Sequence, residues 1–160
     1  VSGSSIEING GTYNTAANKE TVGTIYTLGN SLTVRNATIN VGPDSVMNAY
    51  GIYSNAKENL IENVTVNAKY SIAVNLNNSL AQTTINGGKF ITENKAEGWV
   101  PNPTIRYQGE LNITGASITR VGVGIQCAAL GTTEVTGLTM EGCQFTPVNG
   151  GGQYADTAHK

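Results

Sequence analysis

The chain has 160 residues, of which 39% are hydrophobic and 12% are charged, values that suit one domain with its own core and a mainly uncharged polar surface. Glycine (20 residues), threonine (20) and asparagine (19) dominate, and this composition excludes a helical bundle, a coiled coil and a disordered acidic tail. The net charge of −2, with nine dispersed Lys and Arg residues, does not suit nucleic acid, and no apolar run reaches the roughly 20 residues of a membrane span.

A segment of eight residues recurs six times along the chain. The copies are Ile6–Tyr13, Leu32–Ile39, Asn59–Val66, Thr83–Phe90, Leu111–Ile118 and Thr133–Met140. In each copy the third residue is Ile or Val, the last is large and apolar, and the fifth is Gly or Asn. The fifth residues are Gly10, Asn36, Asn63, Gly87, Gly115 and Gly137. Because Gly and Asn enter left-handed backbone conformations at low cost and the apolar residues have a period of two, each copy predicts two strands joined by a one-residue bend.

A third short strand, centred on an isoleucine, recurs between the copies. The isoleucines are Ile25, Ile52, Ile72, Ile105 and Ile125. The bends follow one another at intervals of 26, 27, 24, 28 and 22 residues. Three short strands per turn predict a solenoid of about six stacked rungs over residues 1–149, followed by a polar tail or linker at 150–160. A β-sandwich is the main alternative, although it predicts varied turns and not one repeated bend. We expect the chain to be part of a longer protein.

The pattern resembles the right-handed parallel β-helix superfamily, which contains pectate lyases, polygalacturonases, phage tailspikes and many bacterial surface proteins. The resemblance covers residues 5 to about 145 and concerns the fold alone. It implies an all-β, single-stranded right-handed parallel β-helix, with the bend between the second and third strands of each rung. Long loops are then expected between the third strand and the next first strand. In enzymes of this superfamily the substrate lies along the first sheet, to which the five isoleucines would belong.

The residues that flank these isoleucines on the outer side of the first sheet are the candidate binding site. One predicted row contains Tyr26, Tyr53, Ala73, Arg106 and Gln126, and a second contains Asn55, Asn75 and Gln108. Tyr50, Tyr70 and Trp99 are predicted in or beside the adjacent loops. Aromatic rings and planar amides suit sugar rings, so we predict glycan contacts by Tyr26, Tyr53, Trp99, Arg106, Gln126, Asn55, Asn75, Tyr50 and Tyr70. The alternative is that Trp99 and the loop tyrosines only pack their loops onto the coil.

The same rows do not predict catalysis. They contain no carboxylate pair for glycoside hydrolysis and no cluster of calcium ligands. The only histidine, His159, lies one residue from the end of the sequence, where it is not expected to form a triad or a metal site. We therefore predict no cofactor and no metal. Cys127 and Cys143 are too few for a disulfide framework, and we expect them to be small buried residues.

The expected function is that of a non-catalytic extracellular module of a microbial surface protein, either a structural stalk or an adhesin that contacts a glycan. A phage or virion fibre or tailspike segment is the second hypothesis, and a fragment of a polysaccharide lyase or glycoside hydrolase is the third. The expected partners are a polysaccharide or cell-surface glycan, and a homotrimer or flanking domains that cap the ends. The expected location is extracellular, on a cell surface or on a virion.

Overall fold

The computed structural model describes residues 2–15, 22–41, 49–69, 72–93, 103–128 and 137–148. Every regular element in these residues is a β-strand. The strands are β1 (Ser2–Asn9), β2 (Thr12–Thr15), β3 (Val22–Arg35), β4 (Thr38–Val41), β5 (Ala49–Ser54), β6 (Glu58–Glu62), β7 (Thr65–Ala68), β8 (Val74–Leu76), β9 (Gln82–Asn86), β10 (Lys89–Ile91), β11 (Ile105–Tyr107), β12 (Glu110–Thr114), β13 (Ser117–Arg120), β14 (Ile125–Cys127), β15 (Leu138–Glu141) and β16 (Gln144–Pro147). The described residues contain no helix long and apolar enough to cross a membrane.

The strands pair in parallel and form three sheets around one axis. The first sheet consists of residues 2–3 of β1 and 22–27 of β3 with β5, β8, β11 and β14. The second consists of residues 5–9 of β1, residues 31–35 of β3, β6, β9, β12 and β15, and the third of β2, β4, β7, β10, β13 and β16. Because β3 runs through both, the first and second sheets are hydrogen-bonded as one ten-stranded sheet.

The chain is therefore a parallel β-solenoid with three strands per turn, as predicted. It has about four turns, slightly fewer than the six rungs expected from the repeat. The connection between β14 and β15 lies outside the described residues.

The bend between the second and third sheets is confirmed at its first five positions. Gly10, Asn36, Asn63, Gly87 and Gly115 all have positive φ, between 51° and 86°. Asn36 and Asn63 are the two described non-glycine residues with this conformation. Each bend therefore turns the chain at the same corner of the solenoid, as the Gly or Asn at the fifth position of each copy predicted.

The sixth repeat was predicted five residues too early. β15 pairs with β12 so that Leu138 lies beside Leu111 and Met140 beside Ile113, and the bend follows at Gly142, with φ of 63°. The sixth copy is therefore Leu138–Phe145. Its bend follows the preceding one by 27 residues and not by 22. Both alignments place a glycine fifth, but the observed one aligns the large side chain of Phe145 with Ile118.

The isoleucine column of the first sheet also needs one correction. Val74, and not Ile72, pairs with Ile52 and Ile105. Ile72 is buried just before β8 begins. Residues 72, 74 and 76 are all apolar, so the period of two permits both registers. The observed register moves Asn75 into the outer row in place of Ala73.

The core is a set of apolar columns that run along the solenoid axis. In the second sheet, Ile8, Val34, Ile61, Ile85 and Ile113 lie on successive rungs and are buried. The third sheet supplies a matching column of Ile39, Val66, Phe90 and Ile118. Each buried aliphatic side chain stabilises the fold by roughly 1.5–3 kcal/mol. Because each one packs mainly against the rungs above and below, stability is close to a sum over neighbouring rungs.

Polar side chains also pair between rungs. On the third sheet Asn40 Nδ2 donates to Asn14 Oδ1 (2.8 Å), and Asn67 Nδ2 donates to Asn40 Oδ1 (2.7 Å). A second ladder near the bends joins Asn9, Asn36 and Asn63. These ladders were not predicted. Asn14, Asn40 and Asn67 each follow the last residue of a repeat copy, and Asn36 and Asn63 share the fifth position, whereas Asn9 is the fourth residue of its copy.

The bend can be tested at Gly115, where an added Cβ would meet no atom within 4 Å. A substitution there changes only the backbone conformational energy. We expect Gly115→Val to lower the free energy of unfolding by about 1–2 kcal/mol and Gly115→Asn to lower it less. Urea denaturation measures both values. Equal stability of the two variants would show that positive φ is not required at this corner.

A second test concerns the ion pair between Arg35 and Glu62, whose Nε and Oε2 atoms are 2.6 Å apart. Hydrogen bonds from Arg35 and then Asn86 lower the pKa of the Glu62 carboxyl from its ordinary value of 4.5. A lowered folded-state pKa stabilises the protein above pH 4.5, and this stabilisation is lost as the pH falls through the lowered pKa.

We therefore expect Glu62→Gln to be slightly less stable than the wild type at neutral pH and equally stable in strong acid. The effect is small because both side chains are partly solvated. Thermal unfolding of the two proteins across this pH range measures it. A stability difference that did not change with pH would contradict the assigned role of the carboxylate.

Candidate functional site

Five rungs of the first sheet present outward side chains in register. The pairings of β3, β5, β8, β11 and β14 align one row of residues along the solenoid axis. This row consists of Tyr26, Tyr53, Asn75, Arg106 and Gln126. At the usual spacing of about 4.8 Å between strands, it extends about 19 Å.

A second row lies just beyond the ends of these strands. The backbone N–H groups of Asn55, Asn77 and Gln108 donate to carbonyl groups of the preceding rungs, at 2.9, 2.7 and 2.9 Å. This places the three residues in register beside the first row. We call the two rows together, Tyr26, Tyr53, Asn75, Arg106, Gln126, Asn55, Asn77 and Gln108, the polar strip.

The tyrosines at one end of the strip pack against each other. The rings of Tyr26 and Tyr53 are stacked, with centroids 5.0 Å apart and an interplanar angle of 16°. Tyr50, which lies in β5, packs against Tyr53 at 5.5 Å with a tilt of 41° and is almost completely buried. The facing surfaces of Tyr26 and Tyr53 are therefore occupied, so a ligand would meet mainly ring edges and hydroxyl groups.

A chain of hydrogen bonds connects Tyr53 to the second row. Asn77 Nδ2 donates to the Tyr53 hydroxyl (3.0 Å), and Gln108 Nε2 donates to Asn77 Oδ1 (3.2 Å). These side chains are held in place before any ligand arrives. Sequence reasoning missed Asn77 because it placed β8 two residues too early. The apolar pattern of Ile72, Val74 and Leu76 permits both registers, so it contains no signal that selects the observed one.

Asn75 differs from the other amides of the strip. It lies between Tyr53 and Arg106 in the outer row but is only 3% exposed. Its Oδ1 atom is shielded from solvent and accepts no hydrogen bond. An unpaired buried acceptor typically costs about 1–3 kcal/mol. Asn75 therefore holds an unused hydrogen-bonding group in the middle of the strip.

Beneath the strip, Tyr107 points into the core and is completely buried. Its hydroxyl also lacks a hydrogen-bond partner. Burial, together with the thiol of Cys127 on the next rung, raises the pKa of the Tyr107 phenol. The phenol therefore stays protonated at all ordinary pH values. Cys127 and Cys143 are both free and half-buried, so they are less enclosed than the sequence predicted.

The structure brings most of the predicted binding residues together. Tyr26, Tyr53, Arg106 and Gln126 share the first row as expected, and Asn55 lies in the second. Asn75 moves from the second row to the first. Tyr50 belongs to a strand and lies beneath the row. The two remaining predicted residues, Tyr70 and Trp99, lie outside the described residues.

Acidic side chains lie elsewhere on the solenoid. Within the described residues the polar strip contains no carboxylate, whereas the strands of the second sheet carry Glu7, Glu58, Glu62, Glu110 and Glu141. No group of three or more His, Cys, Asp or Glu residues in the described part of the chain is arranged to hold a metal ion. The strip therefore offers amides, phenols and one guanidinium group.

Comparisons with protein-family models, curated proteins and solved structures find no match to this chain.

The hydroxyl groups of Tyr53 and Tyr107 provide a matched test of the strip. Tyr53→Phe removes a hydroxyl that accepts a hydrogen bond from Asn77, and we expect it to lower the free energy of unfolding by about 0.5–1.5 kcal/mol. Tyr107→Phe removes a buried hydroxyl without a partner, so stability should be unchanged or higher. Urea denaturation of both variants measures this contrast. A loss of stability in Tyr107→Phe as large as in Tyr53→Phe would contradict it.

Proposed function

We propose that the chain is a non-catalytic extracellular module of a microbial surface protein, a β-helical stalk or adhesin that binds a glycan along its first sheet. The observation that carries this proposal is the polar strip. Its phenols, amides and guanidinium group are held in register on successive rungs. These groups supply the donors and acceptors that sugar hydroxyls require.

The spacing between successive residues of the polar strip suits a linear polymer. Successive rungs are about 4.8 Å apart, which is comparable to the length of one sugar unit in an extended chain. A glycan lying parallel to the solenoid axis would therefore meet one strip position per sugar unit. The location agrees with the resemblance to pectate-lyase-like proteins, whose enzymes bind their substrates along the first sheet.

The restrained conformation of the side chains in the polar strip also favours binding. Tyr53, Asn77 and Gln108 restrain one another through hydrogen bonds, and Tyr26 and Tyr53 restrain each other by stacking. Fixing a flexible side chain at an interface costs about 0.5–1.5 kcal/mol. Because these side chains are already fixed, a ligand avoids part of that cost.

A glycan array probed with the whole chain tests the proposal. We expect the wild type to bind at least one polysaccharide or cell-surface glycan, and both Tyr53→Ala and Arg106→Ala to bind it about tenfold more weakly, a loss of about 1.4 kcal/mol. Trp99→Ala extends the test to the predicted loop residue. The matched control is Thr84→Ala, on the outer row of the second sheet, which should bind as the wild type does.

Four outcomes would count against the proposal. If no glycan bound, or if Thr84→Ala weakened binding as much as the strip variants, the strip would not be the binding surface. Release of reducing ends or unsaturated products from a bound glycan would show that the module is an enzyme. A mass in light scattering that rises with protein concentration to that of a trimer would favour the fibre hypothesis.

A further inference from the structure

We infer that Asn75 determines the specificity of the polar strip and that the glycan it selects carries an N-acetylated amino sugar. This inference rests on the proposed function, since it concerns the same surface. It begins from the contrast between Asn75 and the other amides of the strip. Asn77 and Gln108 form hydrogen bonds within the strip, whereas the buried Oδ1 atom of Asn75 has no partner.

The burial of Asn75 limits which ligand group can pair with it. A sugar hydroxyl brings one donor and two acceptor lone pairs. At a site shielded from water those lone pairs would themselves lack partners, which is costly. A secondary amide N–H group brings a donor and no acceptor on the same atom. The acetamido group of an amino sugar is the usual source of such a donor in a glycan.

The neighbours of Asn75 suit the rest of an acetamido group. On one side, Arg106 carries five N–H donors that suit the acetamido carbonyl. Arg106 forms no ion pair with any described residue. On the other side, Tyr53, the neighbour of Asn75 in the row, supplies an aromatic ring edge for the methyl group. Because Asn75 Oδ1 is shielded from solvent, binding requires a neighbouring side chain to move, and half-exposed Arg106 is the neighbour in the row with a long, flexible side chain.

Pairs of glycans that differ only at the acetamido group test the inference. Chitotetraose and cellotetraose form one such pair, and pairs from the array with N-acetylgalactosamine or galactose at one position form others. Isothermal titration calorimetry with the whole chain measures each affinity. In at least one pair we expect the acetylated member to bind about tenfold more tightly, the difference expected from one well-placed hydrogen bond at a buried acceptor.

Two variants of Asn75 remove the acceptor. Asn75→Leu keeps the approximate shape of the side chain, and Asn75→Ala keeps the test possible if leucine does not fit. In either variant we expect the two members of the pair to bind within about twofold of each other. The control is Asn112→Leu on the exposed outer row of the second sheet, where the preference should be unchanged.

The result also separates this inference from the proposed function. Equal affinity of the wild type for both members of every pair, or a preference that survives in Asn75→Leu and Asn75→Ala, overturns the role of Asn75. In that case the proposed function still stands if the strip variants lose binding. If no glycan of any kind binds, both the inference and the proposed function are wrong.

Discussion

The structure depends on one constraint, the in-register parallel stacking of rungs. Each strand hydrogen-bonds to the equivalent strand of the turns above and below, so every side chain lies about 4.8 Å from its counterparts. This register holds only if each turn changes direction at the same place. The left-handed bend between the second and third sheets meets that requirement, with Gly10, Asn36, Asn63, Gly87, Gly115 and Gly142 at equivalent positions. The long connections lie at the other two corners, between a third strand and the next first strand, as between β10 and β11, and between a first and a second strand, as between β14 and β15.

The same stacking organises the outer surface. Apolar residues stack inward to form the core, and polar residues stack outward to form ladders. Asn40 bonds to asparagines on both neighbouring rungs, Arg35 pairs with Glu62 on the next rung, and Tyr26 stacks on Tyr53. The stacking of rungs in a β-solenoid therefore aligns chemically similar side chains along the axis. A binding surface on such a fold is naturally linear and parallel to the axis, because that is the direction in which equivalent residues repeat.

Much of this architecture is readable from the sequence, and the errors have a physical cause. The period of two in the apolar residues, together with the Gly or Asn at the fifth position of each copy, predicted the first five bends and the order of the sheets. The same period is ambiguous by two residues wherever the apolar run is long, as at Ile72, Val74 and Leu76. It is also ambiguous where glycines are frequent, as at Gly137 and Gly142. The composition of the outer rows of the first sheet was largely predictable, but the hydrogen-bond partners of individual amides depend on the register and required the structure.

Three buried polar side chains differ in whether their polar atoms are hydrogen-bonded within the fold and in whether they lie in the core or on an outer row. Asn59 lies inside the solenoid, where its Oδ1 accepts from Ser54 and its Nδ2 donates to the Ala56 carbonyl and to Thr83, so both polar atoms of the amide are bonded within the fold. Tyr107 has an unpaired hydroxyl, but it points into the core, which a ligand does not enter. Asn75 combines an unpaired acceptor with a place on the outer row. Natural proteins often violate such local rules at functional sites, and Asn75 is the one of these three residues that does so on the outer row of the first sheet.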